Sequence, residues 1–146
     1  MKIYLASSWR NEEQQNVVKA LRAAGHTVYD FKNPKPGDTG FHWSSIDPNW
    51  KSWTAEQFAK GLEHPVAESG FTSDMDALRA CDACVLLLPC GKSAHLELGY
   101  AVGANKLTIV MFNSASSKEE PELMYMMCDY ICLNIEEVLA KLEEEK

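Results

Sequence analysis

One stretch of the sequence gives the clearest indication of the architecture: Ala83-Cys84-Val85-Leu86-Leu87-Leu88-Pro89-Cys90-Gly91-Lys92-Ser93-Ala94-His95-Leu96-Glu97. Its first six residues are apolar, which is typical of a strand that is buried on both faces of a parallel sheet. Pro89 and Gly91 then mark a turn, and residues 93–104 predict a helix. A buried strand that passes through a short turn into a helix is the repeating unit of α/β folds.

The same alternation continues on both sides of this unit. Four further apolar segments predict strands, at 2–6, 26–31, 107–112 and 130–133. Further helices are predicted at 12–24, 72–81 and 121–127 and after Asn134. We therefore expect residues 1–146 to form a single α/β domain, a flavodoxin-like or Rossmann-like three-layer fold. Its sheet should have five parallel strands in the order 2-1-3-4-5.

Capping residues predict where the helices begin. Asn11 is expected to cap the first helix, in which Val17, Leu21 and Ala24 share the face toward the core. Asn134 is expected to cap the last helix. Thr72 or Ser73 is expected to cap the helix that runs to residue 81, so that Asp74 occupies its first position.

Residues 33–70 interrupt the alternation of strands and helices. Prolines and glycines recur in this segment, yet it concentrates large aromatic residues: Phe41, Trp43, Trp50, Trp53 and Phe58. A disordered linker is poor in aromatic residues, so we expect an ordered excursion with one short helix near 54–62. Such rings can stack on a flat ligand such as a nucleobase, or they can pack the excursion itself.

Composition excludes several classes of function. The chain has 146 residues and a net charge of −7, and no run of Lys and Arg occurs, which argues against binding of a nucleic acid polymer. No apolar stretch approaches the roughly 18 residues that a membrane-spanning helix needs, and residues 1–6 lack a signal-peptide core. We expect a cytoplasmic protein.

The five cysteines are scattered, and we expect them to be reduced thiols. The pair Cys81-x-x-Cys84 is compatible with a redox or zinc site, but it precedes a strand and lacks a second ligand pair, which favours buried structural thiols. Neither a glycine-rich dinucleotide fingerprint nor a phosphate-binding P-loop occurs. We expect no metal and no cofactor.

In a sheet of this order, ligands bind at the carboxyl ends of the strands, so the loops 6–10, 31–53, 89–93 and 113–122 are expected to form the site. Glu97 lies about one turn into the helix that follows the 89–93 loop, among small and apolar residues. That position suits a partly desolvated carboxylate directed at the loop. The alternative for a single glutamate is a solvated residue near the positive end of a helix.

Four motifs follow one another with consistent spacing. They are Ile3-Tyr4 followed by Trp9, Ser73-Asp74-Met75-Asp76-Ala77-Leu78 followed by Asp82, Glu97-Leu98-Gly99-Tyr100-Ala101 followed by Lys106, and Pro121-Glu122-Leu123-Met124. Together they resemble the nucleoside 2-deoxyribosyltransferase family, which includes 2′-deoxynucleoside 5′-phosphate N-hydrolases. The resemblance spans most of the chain outside 33–70.

The resemblance implies an enzyme that cleaves or transfers the N-glycosidic bond of a (2′-deoxy)nucleoside or its 5′-monophosphate. Glu97 matches the nucleophile, which forms a glycosyl ester, and Tyr4 matches the tyrosine that orients it. Asp74 matches the aspartate that handles the nucleobase and its proton. Asp76 and Asp82 are interpreted as structural residues, the first in a pattern like a capping box and the second in a turn.

The 5′ substituent of the substrate is left open. A phosphate is suited by Lys92, Ser93 and the free N–H groups of a helix start. The alternative to phosphate binding is that Lys92 is simply an exposed lysine and Ser93 a helix cap. Glu122 occupies a position where the family places a residue from a neighbouring subunit, and its negative charge would repel a phosphate. These two signals conflict.

The remaining substrate contacts are assigned to eight residues: Ser7, Trp9, Phe41, Trp43, Gly91, Ser93, Glu122 and Met124. A site completed by a neighbouring subunit implies a homodimer or a higher homo-oligomer, and the apolar run 123–127 is a candidate contact surface.

The alternative function is a non-catalytic nucleotide sensor on the same fold. The enzyme is favoured by the joint presence of Tyr4, Asp74 and Glu97, because binding alone needs no nucleophile.

Overall fold

The structure is a computed structural model that describes residues 1–113 and 120–146. Within these residues the strands are β1 (Lys2–Ala6), β2 (Thr27–Tyr29), β3 (Ala83–Leu87), β4 (Leu107–Met111) and β5 (Tyr130–Cys132). The α-helices are α1 (Gln14–Ala23), α2 (Ala55–Gly61), α3 (Pro65–Ala80), α4 (Lys92–Gly103) and α5 (Ile135–Glu144). Short 3₁₀ helices lie at Trp43–Ser45, Trp50–Ser52 and Leu123–Met127.

The strands in the described part of the chain form one five-stranded sheet in the order β2-β1-β3-β4-β5. Every neighbouring pair of strands is parallel. This confirms the predicted α/β architecture and strand order. Tyr4 of β1 is in register with Cys84 of β3. Because side chains at paired positions of neighbouring strands point to the same side, Tyr4 and Cys84 share one face of the sheet.

The opposite face of the sheet packs against α1 and α5. Ile3 and Leu5 of β1 join Leu21 of α1 and Leu142 of α5 in one apolar core, and none of the four is more than 1% exposed. The prediction that Ala24 also faces this core is wrong, because α1 ends at Ala23 and Ala24 follows it as an exposed C-cap residue.

Helix α4 covers the face that carries Tyr4 and Cys84. It packs against β1, β3 and β4. Its buried residues Ala94, Leu98 and Ala101 recur at intervals of four and three, which is the spacing of one helix face. The small alanines allow a close approach of helix and sheet on either side of the turn that carries Glu97.

Of the caps predicted at Asn134 and Asn11, the first is confirmed and the second is wrong. Asn134 caps α5 as predicted, since its Oδ1 accepts a hydrogen bond from the Glu137 N–H over 2.9 Å. Asn11 does not cap α1, which begins at Gln14 with Glu13 as its N-cap residue. Its Oδ1 instead accepts from the Glu13 N–H over 3.0 Å, in the turn before the helix.

Helix α3 begins earlier than the sequence predicts, so the expectation of a cap at Thr72 or Ser73 is wrong. Pro65 opens the helix, as its fixed φ angle suits a first helical position, and the His64 ring Nδ1 accepts from the Val66 N–H over 3.1 Å. Asp74 therefore lies in the third turn.

Asp76 consequently has no capping role. It lies well inside α3 and pairs with Arg79 over 3.6 Å on an exposed surface. The structural role predicted for Asp82 is better supported, since its Oδ2 accepts from the Lys2 N–H over 2.7 Å and so joins the starts of β1 and β3.

The packing divides the chain into two compact units. The first consists of Met1–Tyr29 with Ala80–Lys146, and the second of Asp30–Arg79. The assignment of residues 1–146 to one domain stays a prediction. The second unit is ordered, as expected for the excursion, and it contains the predicted short helix as α2. Thr54 caps α2 in a reciprocal capping box with Gln57.

Aromatic rings pack together in the second unit. Trp43 meets Phe41 edge-on at 4.7 Å between ring centroids, Trp53 at 5.7 Å and Phe58 at 5.8 Å. Two glycines provide room for these rings. A Cβ on Gly70 would stand 3.0 Å from Phe41, and one on Gly61 would stand 2.6 Å from the Trp53 ring.

Candidate active site

Side chains after β1 tie its loop to the loop that follows β3. The Ser7 hydroxyl donates to the Leu87 carbonyl over 2.9 Å, and the Asn11 Nδ2 donates to the Pro89 carbonyl over 3.2 Å. Asn11 itself is buried, at 4% exposed. Trp9, in the same loop, is 43% exposed. Sequence reasoning missed this role of Asn11, because it depends on a partner 78 residues away.

Glu97 lies in the second turn of α4 and is half-buried. Burial raises the pKa of the fully buried Cys84 thiol well above its usual value, and the charges of Cys81 and then Glu97 raise it further. Helix α4, which carries Glu97, covers the sheet face on which Tyr4 and Cys84 lie, so Glu97 and Tyr4 are on the same side of the sheet.

Tyr4 is 1% exposed, so its ring is part of the packed interior. It stacks on Tyr29 of β2, with ring centroids 5.3 Å apart and an angle of 18° between the rings. A tyrosine held in this way has little freedom to move. Its position suits either a packing role or the orientation of a neighbouring carboxylate.

The start of α4 is exposed, and its first turn contains no acidic side chain. Gly91 is its N-cap residue, in extended conformation, and Gly91, Lys92 and Ser93 are all exposed. The unpaired N–H groups of a helix start carry partial positive charge, and Lys92 adds a full charge. This arrangement can hold an anion or a sugar hydroxyl.

The segment 122–127 is joined to α4 by a side-chain contact. Tyr125 and His95 are linked through the Tyr125 hydroxyl and the ring Nε2 over 2.8 Å. Glu122 caps the 3₁₀ helix Leu123–Met127 by accepting from the Met124 N–H over 3.0 Å, and Met124 is 55% exposed. Residues 114–119 of the predicted 113–122 loop lie outside the described residues.

Asp74, Phe41 and Trp43 belong to the second unit. Asp74 is half-buried in α3. Phe41 and Trp43 are half-buried and contact other aromatic rings, which favours packing as the main role of both. The other residues assigned to the site all belong to the first unit: Tyr4, Ser7, Trp9, Gly91, Ser93, Glu97, Glu122 and Met124.

The cysteines do not form a reactive pair in the described residues. Cys81 and Cys84 are buried and form no disulfide, and burial raises the pKa of each thiol, which weakens the redox interpretation. Over residues 1–113 and 120–146, no group of three His, Cys, Asp or Glu side chains converges in a way that would hold a metal ion. None of the helices described is long and apolar enough to cross a membrane.

Comparison with known proteins identifies similar solved structures. No protein-family model matches the chain, and no curated protein matches it. A 2-deoxyribosyltransferase from Bacillus psychrosaccharolyticus superposes with a TM-score of 0.65 at 19% identity, over 95% of this chain and 90% of that protein. The CMP N-glycosidase of Clostridium botulinum superposes with a TM-score of 0.53 at 18% identity, over 98% and 99%. The resemblance seen in the sequence is confirmed at the level of the fold.

Proposed function

We propose that this protein is an enzyme that cleaves or transfers the N-glycosidic bond of a (2′-deoxy)nucleoside or its 5′-monophosphate. One observation carries the proposal. Glu97 is half-buried in the second turn of the helix that follows central strand β3, on the sheet face that also carries Tyr4. The fold around it is shared with a deoxyribosyltransferase and a CMP N-glycosidase.

In the proposed reaction a Glu97 carboxylate oxygen attacks the anomeric carbon of the sugar. The bond from that carbon to the base nitrogen breaks, its electron pair stays on the nitrogen, and a protonated Asp74 supplies the proton. A glycosyl ester of Glu97 remains. Water or a second base then attacks the same carbon, gives a proton to the Asp74 carboxylate and displaces the Glu97 carboxylate, so the configuration at the carbon is retained overall.

The other residues are assigned to binding. The Tyr4 hydroxyl orients Glu97, and Ser7, Gly91 and Ser93 surround the sugar and its 5′ substituent. The base is held by aromatic side chains, with Trp9 the most accessible of them. Trp43 already contacts three rings, so a base would have to bind at its remaining surface.

The proposal includes a neighbouring subunit and a cellular location. Glu122 and Met124 are assigned to a site shared between two copies of the chain in a homodimer or a higher homo-oligomer. We propose that the enzyme acts on its small-molecule substrate in the cytoplasm, without a cofactor.

The covalent intermediate provides the decisive test. A 2′-fluoro nucleoside with a reactive leaving group slows both chemical steps, but ester formation should still outrun breakdown. We expect the intact mass to rise by one fluorosugar and peptide mapping to place it on Glu97. Glu97→Gln should give no adduct and lose roughly a thousandfold or more in turnover with an unchanged circular dichroism spectrum.

Glu136→Gln serves as the matched control, because Glu136 is an exposed glutamate in the first turn of α5. It should form the adduct like the wild type. An adduct on Asp74 would show that the two carboxylates are reversed. Absence of both adduct and turnover across a panel of nucleosides and 5′-monophosphates would favour the nucleotide sensor.

Discharge of the adduct separates the two reaction classes. A free base added to the isolated fluorosugar ester should release Glu97 quickly in a transferase. A strict hydrolase would lose the sugar only at the rate of attack by water.

A further inference from the structure

Two hydrogen bonds of the His95 ring connect parts of the first unit that are distant in sequence. Its Nδ1 lies 2.8 Å from the Gly91 carbonyl oxygen, at the start of α4, and its Nε2 lies 2.8 Å from the Tyr125 hydroxyl. The two rings also stack, with centroids 5.8 Å apart and an angle of 15°. The Cys90 sulfur lies 3.7 Å from the same Nδ1.

The partners of the ring determine where its proton lies. A carbonyl oxygen can only accept, so Nδ1 must carry the hydrogen that is donated to Gly91. In a neutral imidazole Nε2 is then an acceptor, and the Tyr125 hydroxyl donates to it. In the neutral ring, the Gly91 carbonyl therefore sets the direction of both hydrogen bonds.

Apart from Tyr125, the turn buries little apolar surface. The four other residues of the 3₁₀ helix Leu123–Met127 are between 50% and 83% exposed, while Tyr125 is half-buried. Because a segment with little buried apolar surface opens easily, the Tyr125 contact contributes much of its local stability.

We propose that His95 is a positioning residue, which holds the segment 122–127 against the start of α4 through the Tyr125 hydroxyl. The functional part of this inference rests on the proposed function, in which Glu122 and Met124 contact the sugar. Release of the segment weakens substrate binding, whereas Glu97 keeps its place in the second turn of α4. Loss of the bond therefore raises KM and leaves kcat nearly unchanged.

Substitutions of His95 separate its two nitrogens. An Asn side chain places its amide near the position of Nδ1, so His95→Asn keeps the contact with Gly91 and loses Tyr125. A Gln side chain reaches the position of Nε2, so His95→Gln keeps an acceptor for Tyr125. Tyr125→Phe removes the donor, and Tyr100→Phe is the matched control, since Tyr100 is a partly exposed tyrosine on α4 itself.

We expect His95→Asn and Tyr125→Phe each to raise KM about three- to tenfold, as the loss of one hydrogen bond predicts, with kcat within about twofold. The double variant should be no worse than either single variant. His95→Gln and Tyr100→Phe should stay near the wild type. Equal effects of Asn and Gln at position 95, or of Phe at positions 125 and 100, would overturn the proposal.

A measurement without substrate distinguishes this inference from the proposed function. Nitrogen NMR should find the hydrogen of His95 on Nδ1, and hydrogen exchange of residues 122–127 should be about three- to tenfold faster in His95→Asn and Tyr125→Phe than in Tyr100→Phe. A hydrogen on Nε2, or unchanged exchange, would refute the positioning role even in an active enzyme. If these results hold but no nucleoside is turned over, the proposed function fails and the structural role of His95 stands.

Discussion

At the scale of single residues, burial distinguishes the thiols of the first unit that can react from those that cannot. Cys84 is fully buried in β3, and the charge of Glu97 adds to the effect of burial on its pKa. Cys90, two residues beyond the end of the core strand segment 83–88, is half-buried in the loop before α4. A thiol reacts as its thiolate, so a raised pKa lowers its reactivity at a given pH.

Alkylation of the cysteines should follow this difference. With iodoacetamide at pH 8, we expect Cys90 to be modified first and Cys81 and Cys84 to stay unmodified in the folded protein. All of the cysteines should react in denaturant, which controls for peptide detection by mass spectrometry. Modification of Cys84 in the native protein as fast as that of Cys90 would revive the redox interpretation.

At the scale of structural elements, aromatic packing explains where glycine occurs in the second unit. The Trp53 ring is fixed by its indole N–H, which donates to Asp47 over 2.7 Å and lowers the pKa of that carboxyl group. The ring fills the space that a Cβ of Gly61 would need, at the end of α2. The end of α2, the Trp53 ring and the Asp47 carboxylate therefore pack together.

Gly61→Ala should destabilise the protein by about 1–3 kcal/mol, because the new methyl group overlaps the fixed indole ring. Urea unfolding followed by tryptophan fluorescence measures this. Gly103→Ala is the control, since a Cβ on Gly103 meets nothing within 4 Å, and it should stabilise the protein by up to about 1 kcal/mol. Equal stability of the two variants would show that Trp53 moves aside at little cost.

At the scale of the whole molecule, the segment 122–127 presents an apolar surface to solvent. Leu123 is 74% exposed and Met126 is 83% exposed, which is unusual for adjacent large apolar side chains of one turn. The net charge of −7 opposes close association of two copies, so an interface has to rely on such apolar contacts.

We predict that the protein is at least a dimer at micromolar concentration and that Met126→Glu shifts it toward the monomer. Activity should fall in parallel if the site is shared. Ala23→Glu adds the same charge at an exposed position of α1 and should leave the assembly intact. A wild-type protein that light scattering finds monomeric, with full activity, would contradict a shared site.

The positions of the strands and of most helices could be predicted from the sequence because their signals are local, and the strand order was then taken from the fold class that this alternation indicates. The apolar run 83–88 needs burial on both faces wherever it lies, and Thr54 and Asn134 cap helices through N–H groups three residues away. The sequence also placed Glu97 correctly on a helix directly after a central strand. These features depend on residues within a few positions of one another.

Contacts between distant residues account for what could not be predicted. Helix α3 runs through Gly70, which reads as a helix breaker in sequence but provides the space in which Phe41 packs. The bond from Asn11 to Pro89 and the bond from Tyr125 to His95 join residues 78 and 30 positions apart. The partner of such a side chain is determined by the packing of the sheet and its loops. The residues next to it in the sequence do not indicate which partner it has.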